Sequence, residues 1–478
     1  MAIPSITQSI RDPGLATTPS AITNFMFLGC AEKGSTTAVS AFANPGDVID
    51  TYGQGPLTED LCYFLAIAGG PVYGLRLAGS TAATKSSVTP TRVSTSTGTV
   101  AVTGTALDSY DARVEIRATG ALGVAQFRYS LDGGLTYSGD IIVPSGGSYT
   151  LANTGLGLTF AAGSGPIILE KGDLFTFTTT EAIFGTTDLA TGMDVVKADN
   201  TPLAAIVLSG QFGTASAAAT VAAAMAVHAS ALFQLYRPIR FMMDAGDEAV
   251  ATVKTAFAAF ASERASICYR RCTLTSAKPI IGRGSPKCST VRALAARAGA
   301  SLISTDLAWY SAGSIPGCQA ITHNEYLSEL MDLDGFSTLR THQGIAGFFP
   351  TNVRLRSSPG SDYQYWQHGR VMDVATSTSY IALLPFLSSS VRTIAGGKID
   401  PRDAGSWEAT VSDKLRTVLL DPDNAQGTQG HISALEVAID RQNNVLASGV
   451  VKVKVAIQPL GYAKFIVNEL SFSANVGG

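Results

Sequence analysis

The hydrophobic pattern of this chain changes at about residue 84 and changes back at about residue 180. Between these points short alternating runs recur roughly every eight to twelve residues, for example TVAVTG at 99–104 and DLFTFTTT at 173–180. Alternation with period two places apolar side chains on one face of a strand, and short strands at this spacing are typical of a β-sandwich. The segments on either side alternate strands with helices. The chain is therefore predicted to carry an all-β sandwich within an α/β framework.

The segment after the sandwich has the pattern of a doubly covered sheet. LAAIVLSG (203–210) and RFMMDA (240–245) are continuous apolar runs, as expected of buried strands, and an alanine-rich helix at about 214–235 lies between them. SICYRRC (266–272) is predicted to be one further strand, and a helix follows at 290–301. This order predicts a partly parallel sheet with helices on its faces.

An earlier helix begins near Thr58, which is a candidate N-cap residue. Glu59 and Asp60 follow in the first turn, before the apolar run LCYFLAIA. Acidic residues in this position interact favourably with the helix dipole, and Gly69 is expected to end the helix.

The C-terminal segment predicts two helices followed by three strands. The first helix runs to about residue 390 and is broken near Pro385, and the second spans about 402–420. The strands are 434–441, 450–458 and an apolar strand at 462–473, close to the end of the chain. A terminal strand this apolar would promote aggregation if its edge were left unpaired.

These patterns predict a multidomain α+β or α/β chain: a mixed α/β core, an inserted sandwich and a C-terminal unit of two helices and a β-sheet. The expected segments are an extended arm (1–20), the first part of the core (21–84), an outward-facing sandwich (85–182), the rest of the core (183–350) and the C-terminal domain (351–478).

The sequence lacks the residue patterns that catalysis would need. None of its five histidines stands in an HExxH or His-x-His spacing, and there is neither a GxSxG elbow nor a GxxxxGK[ST] phosphate loop. Catalysis requires a nucleophile with a base, a carboxylate pair or a set of metal ligands. We therefore predict no catalytic residue, no cofactor and no enzymatic activity.

A metal site is also not expected. Cys268-x3-Cys272 with Cys288 lacks the fourth ligand and the paired spacing of zinc sites. Most of the six cysteines lie in apolar runs, where buried free thiols are expected.

Charge and hydropathy narrow the possible partners. The net charge is −3 and no run of Lys and Arg exceeds two residues, so a basic surface for nucleic acid is not expected. The longest apolar run, 215–232, is mostly alanine and predicts a packed helix rather than membrane insertion. Only 15% of residues are charged, which suits either a weakly charged globular protein or a surface partly covered by neighbouring subunits.

The order of several short motifs resembles that of contractile phage-tail sheath proteins. Near the start, an extended stretch and an apolar strand lead into Ala31-Glu32-Lys33-Gly34, then Tyr52-Gly53, then a strand with Gly69, Gly70, Tyr73 and Arg76. Near the other end, GFFPTNVRLRSSPGSDYQYWQHGRVMD resembles the start of the sheath C-terminal domain. The resemblance covers about 1–84 and 340–478 by motif, and 181–339 by architecture only.

This resemblance implies a structural subunit of a virion tail or related contractile injection system, assembled in a bacterial host cytoplasm. Such subunits polymerise as stacked rings around an inner tail tube and contract to drive it through a cell envelope. The implied partners are identical subunits, the tube protein, and baseplate and tail terminator proteins, without direct contact to nucleic acid.

The expected links between subunits are the two chain ends, each adding a strand to a neighbouring sheet. The N-terminal arm would act through Ile3, Ile6 and Ile10, unless it is simply a frayed terminus. The C-terminal strand would act through Phe465, Val467, Leu470 and Phe472. The acceptor sheet would present Leu435, Val437, Val451, Val453 and Val455.

The helix at 402–420 is expected to face the tube through Lys414 and Arg416, beside Asp413. An ordinary core helix with a solvated charged face has the same pattern. Two other function classes also remain open: a tail or baseplate component that binds a host surface through the sandwich, and an α/β enzyme with a sandwich insert.

Overall fold

The computed structural model describes residues 24–93, 96–164, 168–275, 287–420 and 430–468. The N-terminal arm, with Ile3, Ile6 and Ile10, lies outside the described residues. The chain divides into two compact units. Of the described residues, those up to 302 and 307–369 form the larger unit, and 303–306 with those from 370 to 468 form the smaller.

The larger unit is built on a seven-stranded sheet to which both flanks of the sandwich contribute. The first flank supplies β1 (Phe25–Gly29), β2 (Ser40–Phe42), α1 (Pro45–Tyr52), α2 (Pro56–Ala68) and β3 (Val72–Arg76). The sandwich strands are β4 (Thr84–Lys85), β5 (Thr89–Thr91), β6 (Thr99–Gly104), β7 (Asp111–Ala118), β8 (Gln126–Ser130), β9 (Ile141–Ile142), β10 (Ser148–Leu151), β11 (Leu156–Ala161) and β12 (Leu174–Thr180).

The second flank begins with α3 (Thr186–Ala198), β13 (Ala205–Leu208), α4 (Ala215–Gln234), β14 (Arg240–Asp244), α5 (Val250–Ala256) and β15 (Ala265–Cys268). It continues with β16 (Arg271–Leu274), β17 (Lys287–Ser289), α6 (Thr290–Gly299), β18 (Cys318–Ile321), β19 (Phe336–Ser337), β20 (Leu339–His342) and β21 (Ile345–Pro350). Short 3₁₀ turns occur at Tyr310–Ala312 and Asp332–Asp334.

The main sheet has the order β19-β15-β14-β13-β1-β3-β2, and all neighbours are parallel except β2 with β3. β1 pairs with β3, which precedes the sandwich in the chain, and with β13, which follows it. The sandwich is therefore inserted between two strands that both lie next to β1 in the main sheet. Helices cover both faces: Phe25 and Phe27 of β1 pack with α1, α2 and α6, whereas Met26 and Leu28 pack with α3, α4 and α5. The mixed α/β class predicted from the pattern is confirmed.

The sandwich consists of a three-stranded sheet, β10-β11-β6, and a second sheet in which β12 pairs with β7, β4 and β5, and β7 leads to β8 and β9. Its core contains Phe127, Phe160 and Phe175, and the rings of Phe127 and Phe160 are 4.8 Å apart between centroids. Alternation along β7 places Ala112, Val114 and Ile116 inward.

The prediction of one strand at 266–272 is wrong. The segment forms two strands, β15 in the main sheet and β16 in a three-stranded antiparallel sheet of order β17-β16-β18. Arg270 between them has a φ of 66°. This left-handed conformation turns the chain out of the parallel sheet, and a local apolar pattern does not reveal such a turn.

Helix α4 is long and apolar enough to span a membrane, and it is the one such helix among the described residues. Its buried side chains, which include Ala218, Val221, Met225 and Leu232, lie on one face and pack in the core beside the main sheet. This is the arrangement of a core helix.

The smaller unit contains α7 (Trp366–Leu383, from residue 370), a 3₁₀ turn (Leu384–Phe386), β22 (Thr393–Ile394), β23 (Lys398–Ile399), α8 (Pro401–Leu415), a π-helical turn (Arg416–Leu420), β24 (Ile432–Ile439), α9 (Val445–Ser448) and β25 (Val453–Pro459). The break in the first helix near Pro385 is confirmed.

Candidate assembly surface of the C-terminal unit

The core of the smaller unit joins α8 to one strand of a small sheet. Ile399, Ala404 and Ile439 are buried together, and Trp407 packs against them. The Trp407 ring also stacks on Phe386, with centroids 4.5 Å apart. At the sheet end, the backbone N–H of Ile439 donates to Glu408 of α8 at 2.7 Å. The helix therefore fixes one end of β24.

The sheet itself has only two strands among the described residues. β24 and β25 are antiparallel, with Leu435 opposite Ile457, Val437 opposite Val455 and Ile439 opposite Val453. An isolated two-stranded sheet is marginally stable, and its outer edges present backbone N–H and C=O groups in a row. This geometry can accept additional strands.

The predicted acceptor residues are half-buried rather than fully buried. Leu435, Val437, Val453 and Val455 lie on one face of the hairpin, and that face continues the core at Ile439. β24 begins and ends two residues earlier than the predicted 434–441, and β25 begins three residues later than the predicted 450–458 and ends one residue later. Val451 therefore precedes β25, where it packs at the edge of the same core. Strands added at the edges would extend this apolar face.

After β25 the chain is attached to its own unit at two points. The Tyr462 hydroxyl donates to the backbone oxygen of Ser304 at 2.5 Å, and the Lys464 ammonium pairs with Asp306. The hydroxyl of Ser304 lies 2.9 Å from Nδ1 of His431, the residue before β24. Burial lowers the pKa of His431, which favours the neutral ring in this contact. Residues 303–306 therefore hold the chain just before its end.

The residues immediately beyond these attachments are almost fully exposed. Phe465, Ile466 and Val467 have relative exposures of 93%, 84% and 87%. The predicted strand at 462–473 is not formed in its described part, 462–468, and Leu470 and Phe472 lie outside the described residues. Three consecutive large apolar side chains in water are unfavourable by several kcal/mol relative to burial.

The predicted tube-facing helix ends in a change of helical type. α8 stops at Leu415 and continues as the five-residue π-helical turn that begins at Arg416. Val411, Leu415 and Leu419 are buried, while Lys414 and Arg416 are exposed. π-Helical turns are rare and often occur at functional positions. Both predicted cations therefore lie on the solvent side of an irregular helix end.

A second apolar surface, in the larger unit, was missed by sequence reasoning. It lies around the β20–β21 hairpin, where Tyr310 stacks on Phe349 and the Arg340 guanidinium lies over Tyr326. Its exposed large side chains are Trp309, Tyr310, Tyr326, Leu327, Leu330 and Leu333. Trp309-Tyr310 and YLSELMDL at 326–333 lie in turns and short irregular segments, where the sequence pattern does not indicate which apolar side chains stay exposed. Six exposed large apolar side chains in the segments 309–310 and 326–333 favour an interaction surface in this part of the larger unit.

Charged groups fill the carboxyl ends of the parallel strands, where α/β enzymes usually bind ligands. Asp244, at the end of β14, accepts from Arg271, from the Ser289 hydroxyl at 2.8 Å and from the backbone N–H groups of Phe212 and Gly246 at 3.0 Å. Its acceptor positions are occupied by the chain itself, and the contacts hold four segments together.

A second buried cluster joins α2 to α6. The Arg292 guanidinium donates to Glu59 at 2.7 Å and to Asp60, and all three side chains are at most 6% exposed. Burial raises the pKa of Asp60, and Arg292 opposes that effect. Helix α2 begins at Pro56 with Gly55 as its N-cap residue, so Thr58 is inside the helix and the N-cap prediction is wrong.

The base of the sandwich adds two more buried carboxyl groups. Glu181 accepts from the Ser109 hydroxyl at 2.7 Å and from the backbone N–H of Gln211 at 2.7 Å, and burial raises its pKa. Asp108 accepts from the backbone N–H of Ser109 at 2.8 Å. Burial, followed by the charges of Glu59 and Glu181, raises the pKa of Asp108 well above its usual range, with Arg292 opposing.

Replacing Asp108→Asn is expected to stabilise the protein at pH 7 to 8 by about 1 kcal/mol. The pKa of Asp108 is higher in the folded state than in the unfolded state. The contribution of its carboxyl group to the free energy of unfolding is therefore fully present below the unfolded-state pKa, about 3.9, and is lost as pH rises through the folded-state pKa. The variant should therefore match the wild type near pH 4 and exceed it at neutral pH. Urea unfolding at both pH values measures this. The exposed Asp362→Asn should show no such gain, and an equal gain at pH 4 would contradict the explanation.

Residues 3–354, most of the chain, match the family model described as DUF2586, N-terminal domain. No curated protein sequence matches the chain.

Among solved structures, the fold is similar to a chain in the cryo-EM structure of the anti-feeding prophage baseplate, with 12% identity, 99% of each chain covered and a TM-score of 0.53. It is also similar to a chain of the anti-feeding prophage helical sheath in the contracted state, with 11% identity, 99% of this chain and 100% of that chain covered, and a TM-score of 0.52. A sheath tail protein from Listeria innocua aligns at 11% identity over 93% of this chain and 94% of its own, with a TM-score of 0.46. The resemblance to contractile sheath proteins is confirmed at the level of the fold.

Proposed function

The chain belongs to the DUF2586 family, and from this membership and its sheath-like fold we propose that it is a structural subunit of a contractile tail sheath. In this proposal identical subunits polymerise around an inner tail tube, and contraction of the array drives the tube through the envelope of a target cell. The role is mechanical and not catalytic. The expected location is the tail of a virion or related injection particle, assembled in a bacterial host cytoplasm.

The exposed chain end after Lys464 is the observation that supports the proposal most strongly. Phe465, Ile466 and Val467 are almost fully exposed, while the two-stranded sheet of the same unit has unpaired edges among the described residues. A strand from one copy can complete the sheet of another, because backbone hydrogen bonds at an edge do not depend on which chain supplies them. Phe465 and Val467, together with Leu470 and Phe472, are proposed to extend the face that carries Leu435, Val437, Val451, Val453 and Val455.

The N-terminal arm is proposed as the second link. Ile3, Ile6 and Ile10 would enter the same type of sheet in a neighbouring copy. Removal of residues 1–12 should leave the unit folded and prevent polymerisation, since the described core begins only at Asn24.

Strand exchange also suits contraction. Subunits that share strands stay connected while they rotate and slide, because the connecting segments change direction and the shared sheets remain intact. The energy for the change would come from two arrangements of rigid subunits that differ by a small amount per copy. That difference is summed over the array, and no nucleotide is required.

The exposed apolar surface around Tyr310 and Tyr326 supports a large assembly. Leu327 and Leu333 are about three quarters exposed, which is a cost for a solitary subunit and a contribution to binding in an array. The proposed partners are identical subunits, the tube protein, the baseplate and a tail terminator protein.

Electron microscopy of the purified full-length protein tests the proposal. Tubes or stacked rings at high concentration are the expected result. Compact monomers that remain monomeric under all assembly conditions, with the end of the chain closed on its own sheet, would overturn it.

The end of α8 is proposed to face the tube through Lys414 and Arg416. The double change Lys414→Glu with Arg416→Glu should lower binding to the tube protein by about tenfold, because both charges are reversed at the contact. Polymerisation of the sheath alone should be unchanged.

Co-sedimentation with preassembled tubes measures this binding. Arg402→Glu, an exposed reversal at the opposite end of the same helix, is the matched control. Unaltered tube binding by the double variant would show that this helix end faces elsewhere.

A further inference from the structure

Three thiols meet on the small antiparallel sheet of the larger unit. Cys272 lies in the middle strand, β16, directly opposite Cys288 of β17. Cys318 of β18 is opposite Leu274, two residues along from Cys272 and therefore on the same face. All three cysteines are free in this structure.

The strand register places Cys272 and Cys288 where a disulfide could form. The sulfur atoms of Cys272 and Cys288 are 3.9 Å apart. Directly opposite residues of antiparallel strands have Cα separations of roughly 4.5 to 5.5 Å, which lies within the range that disulfides span. Rotation of the side chains is therefore sufficient to join the two sulfurs, and the backbone can stay in place.

The three thiols differ in access and acidity. Cys272 and Cys288 are buried, whereas Cys318 is partly exposed. Neighbouring Cys288, then Cys318, and then burial raise the pKa of Cys272. Cys272 and Cys288 belong to one apolar cluster, and Cys318 packs against that cluster as a partly buried residue. The contact with the Cys272 thiol lowers the pKa of Cys288, and nearby Arg292 acts in the same direction. Cys288 is thus the better thiolate of the buried pair, and Cys318 is the one that solvent reaches.

We propose that Cys318, Cys272 and Cys288 form a thiol relay that converts a small external disulfide into an internal Cys272–Cys288 disulfide. This proposal is independent of the sheath role. It assigns a redox modification site to the sheet whose strand β17 leads directly into α6.

The relay consists of three exchange steps. The Cys318 thiolate attacks one sulfur of a disulfide RSSR and releases RS⁻. The Cys272 sulfur then attacks the Cys318 sulfur and releases the second RS⁻, while the proton of Cys272 passes to the neighbouring Cys288 and from there to the released RS⁻. This step forms a Cys272–Cys318 bond and leaves Cys288 as a thiolate. Finally the Cys288 thiolate attacks the Cys272 sulfur and releases Cys318 as a thiolate. Two protein thiols are oxidised, RSSR is reduced to two RSH, and the protons lost by the protein thiols are those taken up by RS⁻.

Oxidised glutathione is the probe. The folded full-length protein is incubated with it, quenched with N-ethylmaleimide, digested and mapped by mass spectrometry. The expected result is a Cys272–Cys288 cross-link, with Cys30, Cys62 and Cys268 still alkylated after denaturation. Thermal unfolding of the cross-linked protein should shift upward by about 5 °C, because the bond closes a short loop in the unfolded chain.

Variants separate the relay from accidental oxidation. Cys318→Ser should form the same bond about tenfold more slowly, since the accessible thiol is missing. Cys288→Ser should stop at the Cys272–Cys318 bond, and Cys30→Ser should behave like the wild type. The wild-type map decides the proposal even if a variant does not fold. Absence of any cross-link, a bond to one of the remote cysteines, or an unchanged rate in Cys318→Ser would overturn it.

Discussion

A chain truncated after Lys464 is expected to fold normally and to lose polymerisation entirely. The truncation keeps the Tyr462 and Lys464 attachments and removes Phe465, Ile466 and Val467, which contribute little to the isolated unit because they are almost fully exposed. In an assembly the same three side chains would be buried. At about 1.5 to 3 kcal/mol each, their burial is worth roughly 5 kcal/mol or more per link, which is a loss of over a thousandfold in affinity.

Negative-stain electron microscopy and sedimentation measure the assembly, and circular dichroism with urea unfolding measures the fold. Deletion of 474–478 is the matched control, because it shortens the same terminus beyond the predicted strand and should leave assembly intact. The paired change Phe465→Asp with Val467→Asp should have the same effect on assembly as the truncation. It keeps the full chain length and replaces two apolar side chains with charged ones. Tubes of normal length from the truncated chain would remove the exchanged strand from the proposal.

Replacing Arg292→Met is expected to destabilise the larger unit by about 3 to 5 kcal/mol. The change keeps most of the side-chain volume but leaves Glu59 and Asp60 buried without their cation. An uncompensated buried charge costs more than the ion pair contributed, because the desolvation of the carboxylates is no longer offset. Urea unfolding followed by fluorescence should show a clearly lower midpoint.

Two comparisons isolate the cause. Lys197→Ala removes an exposed i, i+3 pair with Asp194 in the same unit and should change the midpoint little. The triple variant Arg292→Met with Glu59→Gln and Asp60→Asn should recover much of the loss, since the buried charges are then gone. A triple variant as unstable as the single one would assign the effect to packing instead.

The main features of the fold follow from local pattern. The period-two runs at 99–104 and 173–180 lie in the sandwich, and the apolar runs at 203–210 and 240–245 are buried parallel strands of the main sheet. The helix at 214–235 was predicted within a residue or two at each end. These predictions succeed because a strand buried on one face shows alternating apolar residues and a strand buried on both faces shows a continuous apolar run. Both patterns are visible in a short window of sequence.

The predictions from sequence are wrong where contacts with residues far away in the chain determine the local structure. Glu59 and Asp60 look like solvated residues of a first helical turn, yet they are buried because Arg292, more than two hundred residues away, pairs with them. The segment 266–272 has the composition of one strand and forms two, because Arg270 takes a left-handed conformation and Arg271 is drawn to Asp244.

Local sequence pattern was sufficient to predict the alternating strands and helices of the core, the sandwich between its two flanks and the apolar character of the segment after Lys464. The attachments at Tyr462 and Lys464, the exposure of Phe465, Ile466 and Val467, and the unpaired edges of the neighbouring two-stranded sheet among the described residues became visible only in the three-dimensional structure. The physical reason is that periodicity reports which face of an element avoids water. Which edge lacks a neighbour depends on contacts between segments far apart in the chain.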